Sequence, residues 1–219
     1  MRGFAKFAAA VSSVLLASAL AAAPSAQAAQ DDAAARNNPT QCSEELYQGD
    51  RRLGPERLPV AGPVGRQLVG YDRTGGLPEA EFFDTYYNSE ANSWRYPPAD
   101  GYQLDQDGNP IKRRETLDQG ERIDRYGSEY GAFLAPEGLP YTSRSIPPQN
   151  LVGTPAENCN YHVYLVSRDF DVDAGPIAPW FAQSGGGTQY QLNRAFVPDA
   201  PERLNVAWLL EHDYLERLR

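Results

Sequence analysis

The chain has 219 residues, 29 acidic and 20 basic, for a formal net charge of −9, and 41% of it is hydrophobic. That length suits one globular domain with a tail. So acidic a surface repels phosphates at long range, which argues against nucleic acid or anionic membrane as a general partner.

In chain order, Arg2 and Lys6 precede an Ala/Val/Leu run at 7–23, and Ala26-Gln27-Ala28 has the small-x-small form of a cleavage site. Residues 1–28 are therefore expected to be a secretory signal peptide, and the protein to be secreted. Removing them takes away two bases and no acids, leaving 191 residues at a charge of −11. No second apolar run near 18 residues follows, so no membrane-spanning helix is expected. Residues 29–41 are small and polar and read as a flexible lead-in, because they bury too little to offset their ordering entropy. The folded domain is expected over 42–219. Its only cysteines are Cys42 and Cys159. An oxidising compartment predicts that they pair, which in the chain-entropy model is worth about 4 to 5 kcal/mol. Two thiols without companion histidines are too few for structural zinc.

The Pro/Gly-rich stretch 54–76 reads as loops and short extended pieces. From Pro78, the spacing of Phe82, Phe83, Tyr86 and Tyr87 predicts a short amphipathic helix ending near Asn88. Asp107-Gly108-Asn109-Pro110 is turn chemistry. The clearest strand signal runs over 160–173, where Asp169, Asp171 and Asp173 alternate with Phe170 and Val172. A second extended segment, 188–196, sets Gln189 and Gln191 on one face and Tyr190 and Leu192 on the other. Asp199 is the expected N-cap of a helix over 204–211, and 214–218 closes the chain as a strand or last turn. The fold class is a single β-rich α+β domain.

The common hydrolase signatures are missing. There is no Gly-x-Ser-x-Gly, no His-Glu-x-x-His and no second metal-ligand histidine near His162; His212 reads as a structural or surface histidine. The Asp169/Asp171/Asp173 series lacks a calcium loop's glycine and terminal glutamate, with Trp180 at that last place, so it reads as a solvated strand face. Lys112 reads as solvated too. Gly185-Gly186-Gly187 has no P-loop lysine and reads as a flexible turn.

What remains is a series of segments: LGPERLP (53–59), WRYPP-x-x-GY (94–102), G-x-x-IDRYG-x-x-x-G-x-FLAP (120–136), PYTSRSIPP (140–148), YHVYLV (161–166) and DAGPIAPWFAQSGGGTQY (173–190). In this order and spacing they resemble the TNT family, the domain of the tuberculosis necrotizing toxin, and most closely its short secreted members in bacteria and fungi. The resemblance implies a NAD glycohydrolase on a small α+β domain with a twisted antiparallel sheet. NAD or NADP is then the substrate, releasing nicotinamide and ADP-ribose, and neither cofactor nor metal is implied. It also implies site roles for Arg125, Arg144 and Gln189. The two arginines suit a pyrophosphate clamp, and the amide suits the ribose or the attacking water. Phe133, Trp180 and His162 are the implied substrate-binding residues, with Phe181 a further aromatic candidate. The rival readings are a catalytically silent nucleotide- or polymer-binding domain and an ADP-ribosyltransferase. A homodimer and a cognate inhibitor protein stay open.

Overall fold

The computed structural model describes residues 38–218. The expected signal peptide and the lead-in up to residue 37 lie outside the described residues. Residues 38–41, expected to belong to the lead-in, are docked: Val60 N and Ala61 N both donate to Pro39 O, at 2.9 and 3.0 Å.

The elements are α1 (Gly62–Gln67), α2 (Glu79–Tyr86), a short hairpin of β1 (Tyr87–Asn88) and β2 (Ser93–Trp94), then β3 (Arg113–Leu117), β4 (Arg122–Tyr126), β5 (Phe133–Pro136), β6 (Tyr161–Val166), β7 (Phe170–Pro176), β8 (Thr188–Leu192), α3 (Val206–Glu211) and β9 (Leu215–Arg217). Seven strands form one antiparallel sheet in the order β3-β7-β8-β5-β4-β6-β9.

Period-2 alternation gives this sheet two differently occupied faces. On one, Leu117, Ile123, Leu134, Tyr164, Val166, Phe170, Val172, Tyr190 and Leu192 form a core closed by α3 through Val206 and Leu209. On the other, Tyr126, Tyr161 and Val163 pack with Val64, Leu68, Tyr141, Leu151 and the two cysteines. A third cluster gathers Phe82 of α2, Tyr87, Trp94 and Phe181.

Several expectations meet the structure directly. The α2 helix starts after Pro78 and buries Phe82 completely. Tyr190 and Leu192 enter the core from β8 while Gln189 takes the opposite face. Asp105 Oδ1 accepts from Asp107 N and Asn109 N and so closes the 105–109 turn. The last segment is a strand, β9.

Other expectations are corrected. The loop-like stretch 54–76 contains α1, because Val64 and Leu68, four residues apart, reach the tyrosine-lined second core once a helix forms. The 160–173 run is two strands in different places: β6 lies between β4 and β9, whereas β7 lies between β3 and β8. Between them Asp169 Oδ1 accepts from Gln119 N at 2.6 Å, which holds the break. The cap of the last helix is Asn205, whose side chain accepts from Trp208 N at 2.9 Å; Asp199 instead sits in the left-handed region at φ 59°. Nor is the triglycine a free turn. Gly185 N and Gly187 N donate to Thr142 O and Ser143 O, and a Cβ on Gly187 would lie 2.8 Å from Ser143 O, so only bare backbone fits against that turn.

Cys42 and Cys159 are joined across 117 positions with Cα atoms 5.3 Å apart, both buried. The bridge ties the N-terminal segment to the turn before β6. Cys42→Ser should lower stability by about 2 to 5 kcal/mol, since the open chain regains loop entropy. Urea unfolding measures this, and an unchanged midpoint would contradict it.

Candidate active site

Alternation and register set Gln189 of β8, Phe133 and Ala135 of β5, and Asp124 and Tyr126 of β4 on one face of the sheet. Over them stand two irregular segments, contributing Tyr96, Pro97, Asp100 and Gly101 from one side and Arg144, Ser145, Ile146 and Asn150 from the other. Together they bound a cleft of about 380 Å³. That size falls within the range of small-molecule sites.

Arg125 reaches this cleft from the far side of its strand. By alternation it belongs with Ile123, and its cross-strand partner is His162. The β4–β5 ladder, however, holds only Ile123↔Pro136 and Asp124↔Ala135. Where the next pairs would form, the arginine side chain takes over: Nη1 donates to Phe133 O at 2.6 Å and Nε to Ser128 O at 2.8 Å. These bonds go to neutral carbonyls, so the positive charge is not cancelled by them. Burial lowers the guanidinium pKa from its ordinary value, with Tyr164, Tyr96 and Glu129 opposing. A desolvated cation of this kind favours an anionic ligand.

Arg144 also lines the cleft, but its guanidinium is already engaged. Only 6% exposed, it grips the fully buried Asp124 bidentately, Nη1 to Oδ1 at 2.6 Å and Nη2 to Oδ2 at 2.8 Å. Nε and Nη2 also donate to Leu139 O, and Nη2 to Gln67 Oε1. Asp124 Oδ2 accepts in addition from Tyr161 OH and Gly138 N, both at 2.8 Å. The expectation of two convergent, available arginines is corrected: Arg144 braces the cleft floor, and among the described cleft-lining residues Arg125 is the cation whose hydrogen bonds go only to neutral carbonyls.

Gln189 is 8% exposed, and its Nε2 donates to Asp100 O at 2.9 Å. Ala99 and Asp100 both lie at positive φ in the short turn that presents this carbonyl. The bond fixes the amide and leaves Oε1 as the acceptor. Phe133 adds an apolar wall while its own carbonyl holds Arg125.

Trp180 and His162 are not among the cleft-lining residues, contrary to expectation. Trp180 packs edge-on to Tyr86 and donates from Nε1 to Arg95 O at 2.6 Å, which draws the ring into the third aromatic cluster. Phe181 is fully buried in that same cluster. His162 lies behind Arg125, with Nδ1 4.0 Å from Glu129 Oε1. Burial lowers its pKa from 6.5, with Glu129 opposing. Glu79 and Glu81 lie in the first turn of α2 and do not line the cleft. Of the aspartate series, Asp171 pairs with Arg114 and Thr116, and Asp173 with Lys112 and Asn193.

The sequence reading missed Asp124, Asp100, Asn150 and Gln67. For Asp124 a signal existed, since an acid between Ile123 and Arg125-Tyr126 in a strand must find a buried cation. Asp100 and Asn150 sit in short irregular turns, for which no periodic signal exists, and Gln67 ends α1, a helix that the loop-like reading of 54–76 did not anticipate.

Arg144→Ala should cost about 3 to 5 kcal/mol, because Asp124 is left buried without its counter-charge. Asp124→Leu combined with Arg144→Met should recover part of the loss in urea unfolding; a single variant with wild-type stability would contradict a buried pair. His162 supplies a pH test. Its unfolded form protonates near 6.5 and its folded form only at lower pH, so the unfolded state binds more protons in between. Stability is full above about pH 6.5 and declines as pH falls through that window. Melting curves from pH 7.5 to 5 should show a smaller decline in His162→Gln than in wild type.

The chain is similar to several known proteins. The family model for the tuberculosis necrotizing toxin matches residues 116–218. The conidial surface nicotinamide adenine dinucleotide glycohydrolase of Aspergillus fumigatus is 45% identical over 173 residues, which span 78% of this chain and 70% of that protein. Among solved structures, tuberculosis necrotizing toxin complexed with its immunity factor aligns at a TM-score of 0.49 and 15% identity, over 82% of this chain and 87% of that one. Tse6 in complex with Tsi6 aligns at 0.29 and 20% identity, over 58% and 99%. On the strength of the Aspergillus relative and the family match, the chain belongs to the tuberculosis necrotizing toxin (TNT) family.

Proposed function

We propose that the protein is a NAD glycohydrolase, which hydrolyses the bond between nicotinamide and ribose to give nicotinamide and ADP-ribose. NADP is included as an alternate substrate. The observation that carries this reading is the convergence of Gln189, Phe133 and Arg125 on one cleft in a chain 45% identical to a NAD glycohydrolase.

The chemistry suits these groups. As the C1′–N bond breaks, its electron pair neutralises the pyridinium, so nicotinamide leaves without a proton and no general acid is needed. Charge develops instead on the ribose, which becomes oxocarbenium-like until water adds to C1′ and releases a proton to solvent. Arg125 holds pyrophosphate oxygens through its remaining N–H groups. Gln189 Oε1 accepts from a ribose hydroxyl or from the attacking water, and Phe133 covers the nicotinamide side and keeps bulk solvent out. Arg144 serves by holding Asp124 and the floor in place. No step requires a metal or a bound cofactor. Export from the cell belongs to the same proposal, supported by the N-terminal charge and apolar pattern and by the surface location named for the Aspergillus relative.

Purified protein should release nicotinamide from NAD in the presence of EDTA, with ADP-ribose free in solution. Gln189→Ala should lower kcat by roughly 10²-fold or more, in line with losses of single transition-state contacts, with little change in Tm. Labelled ADP-ribose attached to protein would indicate a transferase, and a folded Gln189→Ala enzyme with near-normal kcat would remove Gln189 from the mechanism.

A further inference from the structure

We propose that Gly131 is a positioning residue for the Arg125 guanidinium, which extends the reading of Arg125 as the ligand-binding cation and rests on it. A Cβ at Gly131 would lie 1.9 Å from Arg125 Nη2, 2.5 Å from Cζ and 2.9 Å from Nη1. No side chain fits there while the guanidinium keeps its seat. Gly131 is also not among the glycines at positive φ, so its backbone does not demand glycine. What demands it is the guanidinium lying against its Cα. At Gly127, by contrast, a Cβ would be 3.6 Å from the same Nη2, an ordinary contact.

The loop carrying Gly131 is held from several directions. Val206 N donates to Gly131 O at 3.1 Å, Ala207 N to Glu129 O at 2.9 Å and Leu192 N to Ala132 O at 2.8 Å. The Glu129 carboxylate accepts from Tyr164 OH at 3.0 Å and Arg217 Nε at 2.9 Å. Burial raises the Glu129 pKa, but Arg217 and Tyr164 outweigh it and the net shift is downward, so this anchor stays charged. A methyl group at 131 therefore moves the arginine more readily than the loop. To pass from 1.9 Å to ordinary contact beyond 3.4 Å, the guanidinium must leave its seat and give up the bond to Phe133 O.

The test is Gly131→Ala. The kcat/KM for NAD should fall by about 10²-fold, the scale of an ångström-sized misplacement, with both KM and kcat affected. In the Arg125→Ala background the same change should alter kcat/KM by less than about twofold, because the two act through one group. The Arg125 Nε–H resonance, assigned by its loss in Arg125→Ala, should shift in Gly131→Ala. An unmoved resonance with wild-type kcat/KM, or an equal loss in the Arg125→Ala background, overturns the proposal. If Gly131→Ala does not fold, Arg125→Ala/Gly131→Ala should fold as Arg125→Ala does; failure of that double variant also overturns it. If the wild-type protein does not cleave NAD, the activity reading fails, while the resonance still decides whether Gly131 seats the arginine.

Discussion

A carboxylate with no exposed surface must be matched by an opposite charge and by hydrogen-bond donors, and Asp124 sets that requirement for the whole second core. It is met by two N–H groups of Arg144, the hydroxyl of Tyr161 and the amide of Gly138. Those partners come from the 138–144 turn and from β6, and Gln67 draws in α1 through Arg144 Nη2 and Tyr126 OH. One strand position thus fixes where three otherwise separate segments lie. The same pair forms the floor of the cleft, so the geometry of the site and the stability of this half of the molecule rest on one interaction.

The second constraint is the short β4–β5 ladder. Past Asp124↔Ala135 the strands offer each other no further pairs, and the carbonyls of Phe133 and Ser128, the latter also accepting from Gly131 N, take side-chain donors there. Arg125 supplies both, from a single planar group. A cation is thereby fixed between two strands by neutral acceptors, near the cleft and with hydrogen-bonding capacity left over. A lysine could not do this, because it lacks the rigid fork that serves two carbonyls and an outside ligand together.

These two arginines differ in chemistry although both line one cleft. Arg144 is a neutralised structural pair, and Arg125 is a desolvated charge held by dipoles. In a chain of net charge −9, the cleft holds beside the neutralised Arg144–Asp124 pair a cation, Arg125, whose hydrogen bonds go to neutral carbonyls. Because nicotinamide departs neutral, cleavage of its bond to ribose does not require the pair of carboxylates that most glycosidases use.

Features governed by near neighbours were legible in the sequence. The α2 periodicity, the Asp105–Asn109 turn region, the alternation that separates Gln189 from Tyr190, and the pairing of the only two cysteines all follow from local spacing or from counting. The ordered motif blocks led to the family and to two residues that line the cleft, Arg125 and Gln189. Tertiary packing decided the rest. Helix α1 exists because Val64 and Leu68 find a core made by distant strands, and the 160–173 run splits because its halves find different partners. Trp180 leaves the cleft for Tyr86, and Arg144 is spent on Asp124, 20 residues away in sequence. The division has one physical cause. Backbone propensity and side-chain period act over a few residues, whereas burial of charge and the satisfaction of backbone carbonyls depend on groups that meet only once the chain has closed on itself.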